Sequence, residues 1–273
     1  MNKESNQSDA YPPSEIARRV EHLGETKAHT ETLTLLVLAI LAGAFISMGA
    51  LFFTVVITGS NLGFGLTRFI GGLSFSLGLI LVIVAGAELF TGNNLIAMAW
   101  ASGRIGIREV IRNWTLVYIG NVIGCLGTVL LVLLCDIASL DNGSVGETAI
   151  SIARAKGDLT LIEAFTRGIL CNVFVCLAVW LAIGARSVTD KILAIIFPIT
   201  AFVVIGLEHS IANWFFLPFG LALDLKGEIL VADAINNIIV VSVGNIIGGT
   251  LLVAGVYWVA YLRGERNCKD QSK

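Results

Sequence analysis

The stretch Gly86-Ala87-Glu88-Leu89-Phe90-Thr91-Gly92-Asn93 recurs 120 residues later as Gly206-Leu207-Glu208-His209-Ser210-Ile211-Ala212-Asn213. Further along, Gly120-Asn121-Val122-Ile123-Gly124 is matched by Gly244-Asn245-Ile246-Ile247-Gly248. Two matches in the same order at nearly the same offset mark an internal duplication. Both copies of the first motif interrupt a long apolar run with a carboxylate, small residues and amides. Such clusters unwind helix and free backbone polar groups that hydrocarbon cannot satisfy, so they are tenable only where they line a protein cavity. Paired breaks in equivalent spans point to a solute site near the membrane midplane, at the interface between repeats.

Working outward from the breaks, the uncharged or nearly uncharged runs are Leu33–Ile57, Phe69–Ala87, Asn113–Cys135, Gly168–Ala185, Ile192–Leu223 and Ala234–Leu262. Each meets or approaches the roughly 20 residues a helix needs to cross a bilayer. The reading is an all-α integral membrane protein with six spans. Its repeats cover about 33–136 and 160–262, with spans 2 and 5 broken. Three spans per repeat reverse the chain direction, so the halves are inverted. Composition agrees: 56% of the 273 residues are hydrophobic and 14% charged, against about 25% charged in an ordinary soluble domain. A net charge of −2 excludes the basic footprint of a nucleic-acid binder.

Lysine and arginine in short loops set orientation. With the N-terminus inside, 13 of the 18 fall on the cytoplasmic side, so both termini are expected in the cytoplasm. The chain then divides into a cytoplasmic segment 1–30, a six-span domain 31–263 and a cytoplasmic tail 264–273. The first segment, MNKESNQSDA onward, carries no apolar core of a cleavable signal. Within it, Ile16, Val20 and Leu23 form one stripe over Ser14–Thr30. That stripe predicts an amphipathic helix on the membrane or pore mouth, either a passive anchor or a gate sensing pH through His22 or His29.

Within the breaks, helices restarting near Asn94 and Ala212 would aim their N-termini, with free N–H groups and positive dipole ends, at the midplane. That favours an anion. His209 is the one histidine inside a span, and an ionisable group at that depth is functional by default. Glu88 and Glu208 are expected to accept from freed backbone N–H groups and pin their loops, beside Asn93, Asn94 and Asn213. The Gly120/Gly124 and Gly244/Gly248 pairs fit close helix packing. Five cysteines show no CxxC or Cys/His spacing, so no metal or other cofactor is expected. Four of them lie in apolar runs and read as small hydrophobes. The spans lack paired aspartates, a Ser/His dyad or HExxH, so no enzyme is expected. A neutral-solute channel for water or ammonia stays open. The breaks nonetheless read Asn93-Asn94-Leu95 and Ala212-Asn213-Trp214 rather than the paired Asn-Pro-Ala turns of aquaporins.

The stretches Gly86–Asn94, Asn172–Trp180 (NVFVCLAVW) and Glu208–Asn213 (EHSIAN) resemble the formate–nitrite transporter family of bacterial membrane channels, nearest its formate branch, from about Pro13 to Arg263. The resemblance implies an aquaporin-like fold and a homopentamer in the inner membrane, with one pore in each protomer. It implies passage of formate, nitrite, hydrosulfide or lactate, often linked to protons. It puts the central histidine at His209, the threonine bonded to it at Thr91 and a pore asparagine at Asn172. It assigns hydrophobic constrictions to Phe75, Leu79, Leu89 and Phe202, and an outer-vestibule lysine to Lys156.

Overall fold

A computed structural model describes residues 10–264. The predicted tail beyond Gly264 and Cys268 lie outside the described residues. Among those described, every regular element is helical. In order they are α1 (Pro13–Ala28), α2 (Thr32–Ile57), α3 (Phe64–Ile80, running on as a π turn to Gly86), a 3₁₀ turn Gly92–Ile96 leading into α4 (Ala97–Ala101), α5 (Ile107–Leu134), a 3₁₀ turn Ile137–Ser139, α6 (Ser144–Gly157), α7 (Leu161–Gly184), α8 (Val188–Ile205), α9 (Ser210–Leu223), α10 (Val231–Ile247, π to Gly255) and α11 (Val256–Tyr261). Six of these helices or continuous helical pairs are long and apolar enough to cross a membrane. Large apolar side chains such as Leu131, Leu134, Phe197 and Leu251 stand exposed along them. An apolar surface of that extent needs lipid to cover it.

Five of the six spans start three to seven residues earlier than the uncharged runs suggest, at Phe64, Ile107, Leu161, Val188 and Val231. The physical reason is that Arg68, Arg108, Arg112, Glu163, Arg167 and Asp233 sit in the first turns of these helices. There a charged side chain can cap the helix or reach out of the hydrocarbon. An uncharged-run criterion therefore cuts each span short.

Packing follows the duplication. Gly124 lets α5 approach α2 so closely that a Cβ there would lie 2.0 Å from the Ile40 carbonyl oxygen. Its counterpart Gly248 does the same against α7, with Ile169 O at 2.1 Å. Lipid offers no hydrophobic drive between spans, so close backbone approach through small residues supplies the contact energy. The halves meet where equivalent residues touch: Tyr118 Oη lies 2.9 Å from Ser242 Oγ.

The N-terminal helix lies along a cavity, to whose lining it gives Arg19, His22, Leu23 and Lys27. Ile16, Ala17, Val20, Gly24 and Ala28 are its buried face, packed on Leu95, Met98, Trp180 and Val253 for the most part. Leu23, predicted to share the stripe, is instead partly exposed and lines a cavity. The buried face of α1 packs on the protein itself.

Candidate functional site

Each break is held by the same set of bonds. In the first copy, the Asn121 carbonyl oxygen accepts from Phe90 N at 2.9 Å, and its amide donates to the carbonyls of Ala39 (2.7 Å) and Glu88 (2.9 Å). In the second, Asn245 accepts from Ser210 N at 2.9 Å and donates to Gly168 O (2.7 Å) and Glu208 O (3.0 Å). These buried asparagines, which sit in the motif read as helix packing, are the struts of the loops.

The carboxylates do not take the freed backbone N–H groups expected for them. Glu88 accepts from Lys27 Nζ at 2.9 Å and from Asn93 Nδ2 at 2.7 Å. Glu208 accepts from Lys156 Nζ at 3.0 Å and from Asn213 Nδ2 at 2.7 Å. The relay continues identically outward. Asn93 bonds Asn113 Oδ1, and Asn113 donates to Lys27 O; Asn213 bonds Asn237 Oδ1, and Asn237 donates to Lys156 O. A buried carboxylate needs a full positive charge nearby, which backbone dipoles supply less well than an ammonium. The equivalence also carries the repeat back beyond residues 33 and 160. Helix α1 with Lys27 is the counterpart of α6 with Lys156.

Lys27, Asn113, Asn121, Asn237 and Asn245 are therefore structural members of the site that sequence reasoning did not single out. Extending the duplication outward from the two motifs would have paired Asn113 with Asn237 at the offset that relates Asn121 to Asn245.

His209 occupies the N-cap of α9 and is buried. Its Nδ1 accepts from Ala212 N at 3.1 Å, so that nitrogen carries no proton and the neutral ring holds its proton on Nε2. Nε2 lies 3.0 Å from Thr91 Oγ1; with this tautomer the imidazole donates, and the threonine hydroxyl hydrogen is left to point elsewhere. The helix start therefore does not offer the free N–H groups expected of it. Ser210 N goes to Asn245, Ala212 N to the ring and Asn213 N to His209 O. With these amides already bonded, much of the anion-favouring charge has to come from elsewhere.

It comes from two cavities, one lined by the histidine and the other by residues of the first break. One, of about 300 Å³, is lined by Arg68, Lys156, Arg167, Glu208 and His209 together with Phe75 and Phe202. The other, of about 990 Å³, is lined by Arg19, His22, Lys27, Glu88, Arg186 and Lys191. A small pocket bounded by Leu79, Leu89, Lys27 and Asn93 adjoins the second. Cations outnumber carboxylates in both, and clefts lined by one sign of charge concentrate the opposite ion. Between them stand Phe75 against Phe202, ring centroids 5.6 Å apart, with Phe202 stacked 6.2 Å from the His209 ring. Leu79 and Leu89 are buried on the other side. Leu89 is the repeat counterpart of His209, so the centre is polar from one half only.

The remaining expected residues fall as follows. Asn172 is fully buried on α7, its amide donating to Thr91 O at 3.3 Å and Asn245 O at 2.7 Å; it joins the two breaks rather than lining either cavity. Asn94 donates to Phe90 O at 2.7 Å within its own loop. Lys156 lines the smaller vestibule with its charge matched by Glu208. Cys125, Cys171 and Cys176 are buried, whereas Cys135, at the end of α5, is exposed.

Residues 14–259 match the family model for the formate/nitrite transporter. The chain belongs to that family. It is 41% identical over 279 residues to the formate channel FocA of Escherichia coli K12, an alignment covering 96% of this chain and 98% of the relative. A solved structure described as a pentameric formate channel with formate bound superposes with a TM-score of 0.80 at 40% identity, covering 85% of this chain and 98% of that one. An ion channel of the same family superposes at 0.83 with 26% identity, covering 90% and 98%. As a member of the formate/nitrite transporter family, the protein is a small-anion channel or transporter of the membrane, and the six-span all-helical fold is the family's. The neutral-solute alternative is not favoured.

Proposed function

We propose that the protein conducts formate, and to a lesser degree its near neighbours nitrite, hydrosulfide and lactate, with a proton accompanying each anion across the centre. The observation that carries this reading is the His209–Thr91 pair set inside an apolar constriction between two cation-lined cavities. Lys156, Arg68 and Arg167 on one side, and Lys27, Arg186 and Lys191 on the other, draw a monovalent anion in. Phe75, Phe202, Leu79 and Leu89 then make a bare charge costly to pass. The chain Ala212 N–H to His209 to Thr91 ends in a hydroxyl that can donate to the anion. When the ring takes up a second proton at Nδ1, it must release the Ala212 bond, and its Nε2 proton can then pass through Thr91 to the anion. The products are a neutral acid, which the constriction admits, and a neutral imidazole protonated on Nδ1. That ring must lose its Nδ1 proton and regain one on Nε2 before the Ala212 cap bond re-forms and the cycle closes. Likeness to the pentameric channel supports a homopentamer with one pore in each protomer. The distribution of lysine and arginine supports an inner-membrane orientation with both termini cytoplasmic.

The test is reconstitution into liposomes, with formate, nitrite and hydrosulfide flux followed from about pH 4 to pH 8 for wild type and His209→Asn. Formate flux that rises as pH falls in the wild type and flattens in the variant supports the reading. Unchanged pH dependence in the variant removes the histidine from it. Water or ammonia flux without anion flux removes the anion channel itself.

A further inference from the structure

The two breaks, alike in their struts and lysines, differ at the ends of the helices that enter them. Helix α8 stops at Ile205, and a helix end leaves its last carbonyls without intrahelical partners. Phe202 O accepts from Gly206 N and Leu207 N, and Val203 O from Gly206 N. Val203 O is then bonded a second time, by Arg68 Nη2 at 2.8 Å, and Val204 O receives Arg68 Nε at 3.3 Å. Arg68 belongs to α3, so its guanidinium fork reaches across to cap a neighbour. Gly206, at φ 83°, makes room for it: a Cβ there would lie 2.9 Å from Arg68 Nη2.

The first break has no such cap. Gly86 adopts the same left-handed conformation, φ 84°, but a Cβ there would meet nothing within 4 Å. That helix end closes by Ala87 N donating to Val82 O at 2.8 Å, and the position at the corresponding offset from Arg68 is Val188. The fold can therefore complete a break without an arginine. Arg68 is an addition to one side.

Beyond that cap, Arg68 has no ion-pair partner of its own among the described residues. In the cavity of about 300 Å³ that it shares with His209, the one lining carboxylate among the described residues is Glu208, and Glu208 is held by Lys156. Arg167 has Glu163 at 3.8 Å. Among the described residues no carboxylate lies within 4 Å of Arg68; the Phe64 ring covers it at 5.7 Å. Uncapped, the end of α8 would turn about half a negative elementary charge toward the path of an entering anion.

We propose that Arg68 is a specificity-determining residue of this vestibule, setting its affinity for the entering anion by cancelling the α8 dipole end and adding an unmatched positive charge. The inference rests on the anion-channel reading and adds a sidedness to it: loss of Arg68 weakens binding of anions that enter from the Lys156 face and leaves entry from the Lys27 face unchanged.

The experiment measures initial formate flux against concentration in oriented vesicles, from each face, for wild type, Arg68→Gln and Arg68→Lys. Entering from the Lys156 face, the glutamine variant should show a half-saturating concentration raised on the order of tenfold, the lower end of such electrostatic focusing. Its maximal rate should stay within about twofold, and flux from the opposite face should barely change. Lysine, which restores charge without the fork, should recover most of the affinity. An unchanged half-saturating concentration in Arg68→Gln, with wild-type flux intact, overturns this inference alone; loss in Arg68→Lys equal to that in Arg68→Gln overturns the charge argument. Should Arg68→Gln fail to assemble, Arg68→Met, which keeps the apolar stem without the charge, decides by the same measurement. An unchanged half-saturating concentration from the Lys156 face overturns the proposal. A wild type that carries no formate takes both readings down.

Discussion

Replacing Asn245 with leucine tests the strut that holds His209. Leucine is close to asparagine in size but can make none of its three bonds. Ser210 N would lose its 2.9 Å acceptor, and Gly168 O and Glu208 O would lose donors at 2.7 and 3.0 Å. A buried donor left unsatisfied costs about 1–3 kcal/mol. The two carbonyls keep a second lone pair and cost less, so the sum is about 3–5 kcal/mol. At about 2–4 °C per kcal/mol for a chain of this size, melting of the detergent-solubilised protein should fall by about 6–20 °C. Asn121→Leu, which strips the equivalent bonds from Phe90 N, Ala39 O and Glu88 O, should cost about the same and serves as an internal control. Asn245→Asp keeps the acceptor for Ser210 N but sets a buried carboxylate against the carbonyls of Gly168 and Glu208, so it should melt no higher than the leucine variant. Differential scanning of the three variants beside liposome flux reads both stability and site geometry. An Asn245→Leu protein melting within about 2 °C of wild type, with full flux, would refute the strut.

His209→Phe should melt lower than His209→Asn by several degrees. Asparagine is a good N-cap and can keep the Ala212 bond, whereas phenylalanine orphans that N–H and the Thr91 hydroxyl at about 1–3 kcal/mol each; equal melting temperatures would refute the cap. Gly248→Ala would place a methyl 2.1 Å from Ile169 O, and the forced separation of α10 from α7 should cost about 1–3 kcal/mol or more, read as lost stability of the assembled protein on heated size-exclusion runs. His29, at the end of α1, is pushed above its ordinary pKa, first by the Glu25 carbonyl and then by Glu109, whose Oε1 is 2.8 Å away. A raised folded-state value means this tether is fully present below about pH 6.5, the ordinary histidine value, and is lost as pH rises through the folded value. The protection of residues 13–28 against hydrogen exchange, corrected for the intrinsic rise of exchange with pH, should therefore fall toward alkaline pH, and His29→Gln should abolish that fall.

Much of this was legible in the chain because a bilayer constrains sequence harshly. Backbone groups must be satisfied inside each span, so the apolar runs, the paired breaks and the lone histidine between them declare a six-span inverted repeat. The motif Gly-Asn-x-x-Gly and its copy were equally visible, yet the meaning of Asn121 and Asn245 was not. Nothing in the linear order says whether an asparagine packs, faces a pore or bonds a loop two helices away. The partners of Glu88 and Glu208 were hidden for the same reason. Lys27 and Lys156 lie 61 and 52 residues from the carboxylates they neutralise, on helices outside the recognised repeats. Arg68 read as the charge that ended an apolar run, when it is a donor to carbonyls about 135 residues away. What sequence by itself determined is where the chain can cross lipid and where it cannot remain helical, since those follow from local polarity. Which side chain satisfies each group freed by a break was decided by tertiary structure, because a hydrogen bond depends on ångström-scale placement of atoms that only the packed helices supply.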